Sequence, residues 1–171
     1  KVENNRYCDW LRAQGYAGDN PWHDFANSAL GDDGELLSGW EMRHARRPAR
    51  VSEAHSETAY ATDLAMDFIR EQGEQPWVLH LSYIKPHWPY VAPAPYHELY
   101  GPQHVLPARR SDAERAQPHP VMRGFQSTPP SENFSRDEVR DTVIPTYMGL
   151  VRQLDDHLGR LFDFLQETER D

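Results

Sequence analysis

Apolar residues recur along this chain with helical spacing in three places and with strand-like density in one. Tyr7, Trp10 and Leu11 share a face of the segment from Asn5 to Gln14. That spacing predicts a short helix, which Asn4 or Asn5 can cap and Gly15 can end. From about Glu53 to Gln72, Ala61, Leu64, Ala65, Phe68 and Ile69 repeat at three- and four-residue intervals ahead of Gly73. This predicts a second helix, buried on that face and stopped by the glycine. Trp77 to Ile84 is apolar apart from His80 and Ser82 and lies between Pro76 and Pro86. It reads as a strand covered on both faces inside a parallel sheet. Ser135-Arg136-Asp137-Glu138 has the form of a capping box. It opens a helix that Pro145 can break, after which Tyr147, Leu150, Val151, Leu154, Leu158, Leu161, Phe162 and Leu165 line one face. Helix, short turn and buried strand together are an α/β signature.

The intervening stretches are of two kinds. Gly18-Asp19-Asn20-Pro21 and Gly31-Asp32-Asp33-Gly34 mark turns in a loop-rich region that also holds Trp22, Phe25 and Trp40. Those aromatics predict an ordered surface elaboration. From Lys85 to about Asn133 the chain carries ten of its fourteen prolines, which predicts an irregular path. A loop of that length inside a compact unit usually serves a function.

Composition narrows the function classes. Hydrophobic residues make up 38% of 171, and mean hydropathy is −0.84. Five Trp, eight Tyr and six Phe are too many for a disordered chain. A formal charge of −9 argues against a nucleic-acid partner, because no basic stripe neutralises phosphates. The densest basic run, Arg43 to Arg50, reads as a solvated loop. No apolar stretch has the length to span a membrane. The single cysteine, Cys8, excludes an internal disulfide and fits a cytoplasmic location. The chain starts at Lys1 without methionine and finishes directly behind an amphipathic helix, so an internal fragment of a larger domain is expected.

Candidate chemistry gathers just beyond the strand. Ligands of open α/β sheets bind past the carboxyl ends of strands, and here that position is Lys85-Pro86-His87-Trp88-Pro89-Tyr90. A cation and an imidazole two residues apart, in a turn stiffened by prolines, suit an anionic ester. One can contact a phosphate or sulfate oxygen, and the other can give a proton to the leaving oxygen. A structural histidine in a Pro-rich turn is the simpler reading of these residues taken alone. His97, His104 and His119 show no paired metal-ligand spacing. Asp155-Asp156-His157 reads as helix-surface charge beside Leu154 and Leu158. Asn133-Phe134-Ser135 matches a glycosylation sequon, with Ser135 better used as a helix cap.

Pro76 to Tyr90 resembles the strand and His-x-Pro-aromatic segment of sulfatases, within the alkaline phosphatase superfamily. Its continuation Val91-Ala92-Pro93-Ala94-Pro95-Tyr96-His97 is closer to the phosphonate monoester hydrolase and phosphodiesterase branch. His55 to Asp63 resembles the helix that precedes that strand. Tyr147 to Val151 with Asp155 to Leu161 resembles the helix that follows the loop. The three segments stand in family order, and the likeness runs from about residue 50 to 166.

The resemblance implies an α/β/α sandwich with a mostly parallel central sheet, of which residues 1–171 form an internal part. Within it, 52–84 would be a helix plus core strand, 85–134 the Pro-rich active-site loop, and 135–168 the long helix. It also implies a metal-dependent hydrolase of phosphonate, phosphate or sulfate esters, acting on a small anionic ester and often homo-oligomeric. A divalent ion (Ca, Mn or Zn) and a formylglycine nucleophile are its usual equipment. His87 carries over as the residue that contacts the ester and assists the leaving group; Lys85 is a substrate-binding candidate. The rest of the site does not carry over. Cys8-Asp9-Trp10-Leu11-Arg12 has Trp where the nucleophile motif needs proline, so Cys8 is expected to pack. The metal-binding aspartates and the later Asp-His-Gly-type motif are missing, so no metal ligand and no turnover are expected of this chain alone. A degenerate, non-catalytic scaffold used for binding or assembly is the alternative reading.

Overall fold

The computed structural model describes residues 5–170. Helix α1 spans Asn5–Ala13, with Tyr7 and Leu11 fully buried as their spacing predicts. Gly15 lies at φ 93° and turns the chain away. The expected cap at Asn4 falls outside the described residues. Tyr7 and Leu11 pack with Ala26, Ala49, Val51 and Val91, each buried large side chain contributing about 1.5–3 kcal/mol. The Tyr7 hydroxyl donates to the His55 carbonyl at 2.6 Å. Cys8 is 9% exposed and packs, as its sequence context indicated.

The loop-rich region is the expected ordered elaboration. A π-helical turn, Trp22–Ala26, leads into a hairpin of β1, Ser28–Leu30, and β2, Leu36–Ser38, paired antiparallel through Ala29 and Leu37. Gly34, at φ 82°, lies in its connection. The basic run is only partly solvated. Arg47 pairs with Asp32 at 2.6 Å, while Arg50 donates to the Asp24 carbonyl and lies over the Phe25 ring. Arg47 thereby braces the hairpin connection, and Arg50 braces the π-helical turn ahead of it.

Helix α2, Glu57–Gln72, starts one short turn later than predicted, because Ser56 caps it by accepting from the Ala59 N–H. Gly73 ends it at φ 54°. Its buried face is rotated from the expected one: Thr58, Ala59, Thr62, Ala65, Met66 and Ile69 turn inward, while Leu64 is exposed.

Residues 77–84 are extended and carry no ladder partner among the described residues. Trp77 and Leu79 pack on Met66, Ile69 and Phe164, and the Tyr83 hydroxyl meets Thr62 Oγ1 at 2.8 Å. Val78, His80, Ser82 and Ile84 face outward. One face is therefore covered where the sequence predicted two. Strand pairing needs a neighbouring backbone, and the sheet among the described residues is the β1–β2 hairpin.

The Pro-rich stretch is irregular to about residue 111, then differs from expectation. It forms α3, Asp112–Ala116; α4, Pro120–Gln126; and α5, Pro129–Phe134. Two of these begin on proline, which is compatible with a helix's first turn because the missing N–H has no partner there anyway. Ser135 does not serve the capping box; its hydroxyl donates to the Glu132 carbonyl at the end of α5. Helix α6 then runs unbroken from Asp137 to Glu167, with Pro145 inside it. Proline removes one helical hydrogen bond, and the next residue compensates in packing. Thr146 is fully buried and its hydroxyl lies between the carbonyls of Ala45, at 2.9 Å, and Thr142, at 3.2 Å.

Candidate active site

Prolines 86 and 89 shape the turn that follows the extended segment, and both of their preceding peptide bonds are cis. The His87 N–H donates to the Ile84 carbonyl at 2.9 Å, closing the turn. The His87 side chain is exposed. Its Nδ1 lies 2.5 Å from the Trp88 carbonyl, which can only accept, so Nδ1 carries a proton and donates. Nε2 is left to face solvent. In the neutral ring it is an acceptor; in the protonated ring it is a donor. Trp88 turns the other way, edge-on to Trp40 with ring centroids 4.8 Å apart, and the Trp40 indole N–H donates to His23 Nδ1 at 3.2 Å.

Lys85 is placed quite differently. It is 8% exposed, and its ammonium donates to Asn27 Oδ1 at 2.9 Å and to the Pro89 carbonyl at 2.5 Å. Burial pushes its pKa down to about 8, with the Glu57 carboxylate acting in the opposite direction. Glu57 also accepts from the Trp22 indole N–H at 3.2 Å. Lys85 and His87 thus share a turn but not a face. Asn27, which the sequence did not single out, is 1% exposed and wires the hairpin to this turn. Its only local signal is its place between a π-helical turn and a strand.

A second polar assembly lies on α6. Asp155 is exposed, as expected of surface charge, but His157 is 3% exposed and bonded to Glu53 at 2.6 Å. Asp156 accepts from the Tyr96 hydroxyl at 2.9 Å and from Arg152 at 2.8 Å. Burial, then this bond to Asp156, pushes the Tyr96 phenol up to about 12.

Among the described residues no three His, Cys, Asp or Glu side chains converge as a metal-ligand set. His104 and His119 accept from the N–H groups of Gly101 and Val121 in their own turns. Cys8 lies inside a helix with its sulfur toward Asn20, which does not fit a nucleophile. Among the described residues, therefore, no side-chain set fits a divalent ion on its own, and Cys8 does not fit the formylglycine position. A cleft of about 220 Å³ lies between α2 and the extended segment and is lined by Arg6, Tyr60, Leu64, Ser82 and Ile84 among others. His87 does not line it.

The sulfatase family model matches residues 7–171. The chain belongs to the sulfatase family. It is 33% identical over 136 residues to the multifunctional alkaline phosphatase superfamily protein PehA of Trinickia caryophylli, covering 71% of this chain and 26% of that protein. Its fold superposes on the phosphonate monoester hydrolase SpPMH from Silicibacter pomeroyi with a TM-score of 0.78 and 31% identity, over 96% of this chain and 33% of that one. The phosphonate monoester hydrolase of Agrobacterium radiobacter gives 0.77 at 19% identity, over 98% and 34%, and shows the fold alone. This sulfatase-family chain thus spans about a quarter of the curated relative and a third of the two solved enzymes. No helix among its described residues is long and apolar enough to cross a membrane.

Proposed function

We propose that this chain supplies one wall of the active site of a hydrolase of phosphonate, phosphate or sulfate esters, with His87 as the residue that meets the ester. In this reading His87 Nε2 contacts an oxygen of the anionic ester and, in the protonated ring, gives its proton to the departing oxygen. The observation that carries it is the state of His87. Its ring is held at Nδ1 by the Trp88 carbonyl while Nε2 faces solvent, and it sits at the end of an extended segment in a sulfatase-family chain. A divalent ion and a formylglycine would come from other parts of the polypeptide. So would the neighbouring strands that would make residues 77–84 part of a mostly parallel sheet. The working enzyme would be homo-oligomeric. The 171-residue chain alone is expected to turn over no ester.

The test is a comparison of H87A with wild type in the full-length polypeptide that carries this chain, using aryl phosphonate monoesters, phosphate diesters and sulfate esters. H87A is expected to lower kcat by about 10²–10⁴-fold, and less for better leaving groups, which need less protonation. Equal turnover by H87A would remove the catalytic role. A wild-type protein that hydrolyses none of these esters would leave a non-catalytic scaffold as the reading.

A further inference from the structure

The turn that carries His87 is closed from inside by a charged side chain. Lys85 reaches four residues forward to the Pro89 carbonyl and 58 positions back to Asn27 Oδ1. Asn27 is itself immobilised: its side-chain amide donates to the Trp22 carbonyl at 3.1 Å, and its own carbonyl accepts from Gly39 at 2.9 Å. Gly39 allows that approach, since a Cβ there would run into Val91 and the Asn27 carbonyl. The carbonyl that orients the His87 ring belongs to Trp88, the residue immediately before the one Lys85 grips. An apolar side chain of similar length would fill the space but leave the buried Asn27 Oδ1 without its donor and the Pro89 carbonyl with only the Val91 N–H, at 3.1 Å, and a buried acceptor without a donor is strongly disfavoured.

We propose that Lys85 is a positioning residue: by pinning the Pro89 carbonyl to Asn27 it fixes the direction in which His87 presents Nε2 to the ester. This inference rests on the role given to His87 above. A group that sets direction acts through the residue it holds, so its loss should lower kcat with little change in KM. The loss should also disappear once the held residue is gone.

The experiment is a double-mutant cycle in the full-length protein with an aryl phosphonate monoester: wild type, H87A, K85M and K85M/H87A. K85M is expected to lower kcat about 10²-fold, the scale of a small misplacement, and to cost nothing further in the H87A background. K85M with wild-type kcat, or a K85M penalty undiminished in the H87A background, overturns the positioning role. A direct substrate contact would show the second pattern with raised KM. H87A with wild-type turnover overturns the reading of His87 and this inference with it, whereas an impaired H87A beside an unimpaired K85M overturns this inference alone. N27A, which removes the second tie and keeps the lysine, provides an independent variant should K85M fail to fold. It is expected to lose kcat only when His87 is present, and wild-type kcat in N27A overturns the proposal equally.

Discussion

His157 and Glu53, 104 positions apart, meet at 2.6 Å where α6 passes the short turn before α2. Arg160 donates to His157 Nδ1 at 2.8 Å. A guanidinium cannot accept, so the imidazole proton resides on Nε2 and points at the Glu53 carboxylate. Gln153 adds bonds to the same carboxylate oxygen at 3.1 Å and to Ser56 Oγ at 2.8 Å. Arg160 also reaches Asp63 on α2 at 2.8 Å. The residue that caps α2 is therefore held by the helix that packs against it.

H157A should destabilise the chain by about 1–3 kcal/mol, the cost of leaving a buried polar group without its partner, measured by urea unfolding. A loss below about 0.3 kcal/mol would mean that water replaces the imidazole without penalty. The His157 hydrogen bond, outweighing the opposing desolvation, holds the Glu53 carboxyl below its ordinary range. A depressed carboxylate contributes stability above its unfolded pKa of about 4.3 and loses it as pH falls through the folded value. The stability gap between wild type and E53Q should accordingly narrow as pH is lowered below about 4.

Gly149→Ala and Gly159→Ala, ten residues apart on α6, should move stability in opposite directions. A Cβ at Gly149 would overlap the Tyr96 carbonyl oxygen, whereas at Gly159 it would meet nothing within 4 Å. G149A must push away the segment that carries Tyr96, at about 1–3 kcal/mol. G159A should gain about 0.5–1 kcal/mol from reduced backbone freedom in the unfolded chain. Thermal melting of both variants checks the pair, and a destabilised G159A would be the contrary result.

Lys85 should make stability rise with alkaline pH. Its folded pKa of about 8 lies below the unfolded value near 10.4. Below pH 8 both states hold the proton and the burial cost is present in full. Between about 8 and 10.4 the folded state releases it while the unfolded state keeps it, so the cost fades. The neutral amine still has two N–H donors for its two acceptors. Relative to K85M, wild type should gain on the order of 3 kcal/mol across that window. A pH-independent difference between the two would rule this out.

Val78→Lys should leave the stability of this chain within about 0.5 kcal/mol of wild type, as for other exposed positions, because Val78 is 94% exposed. Amide protons along residues 77–84 should exchange rapidly in the same chain for want of a ladder partner. Slow exchange there would reveal pairing that the described residues do not contain.

The three principal helices were legible because their information is local. The 3.6-residue spacing around Tyr7 and Leu11, the stop at Gly73 and the prolines after Ile84 each act within a few residues. The order of family-like segments was equally legible, and the sulfatase match agrees with it. Which way each helix turned was not. Apolarity predicted burial for Leu64, Tyr147, Val151 and Phe162, yet all four are at least two-fifths exposed, while Thr62, Gln153 and His157 are buried. A polar side chain can be buried only when a distant partner completes its hydrogen bonds. The partners here, Glu53, Ser56 and Tyr83, are 21 to 104 positions away. Lys85 and His87 divide in the same way. Their sequence marked a turn rich in chemistry, and only the arrival of Asn27 from the hairpin sent the ammonium inward while the imidazole stayed outside. The sequence by itself determined the three principal helices and the family. The tertiary structure decided the buried faces and the direction of each polar group, because desolvation is settled by what else occupies the space.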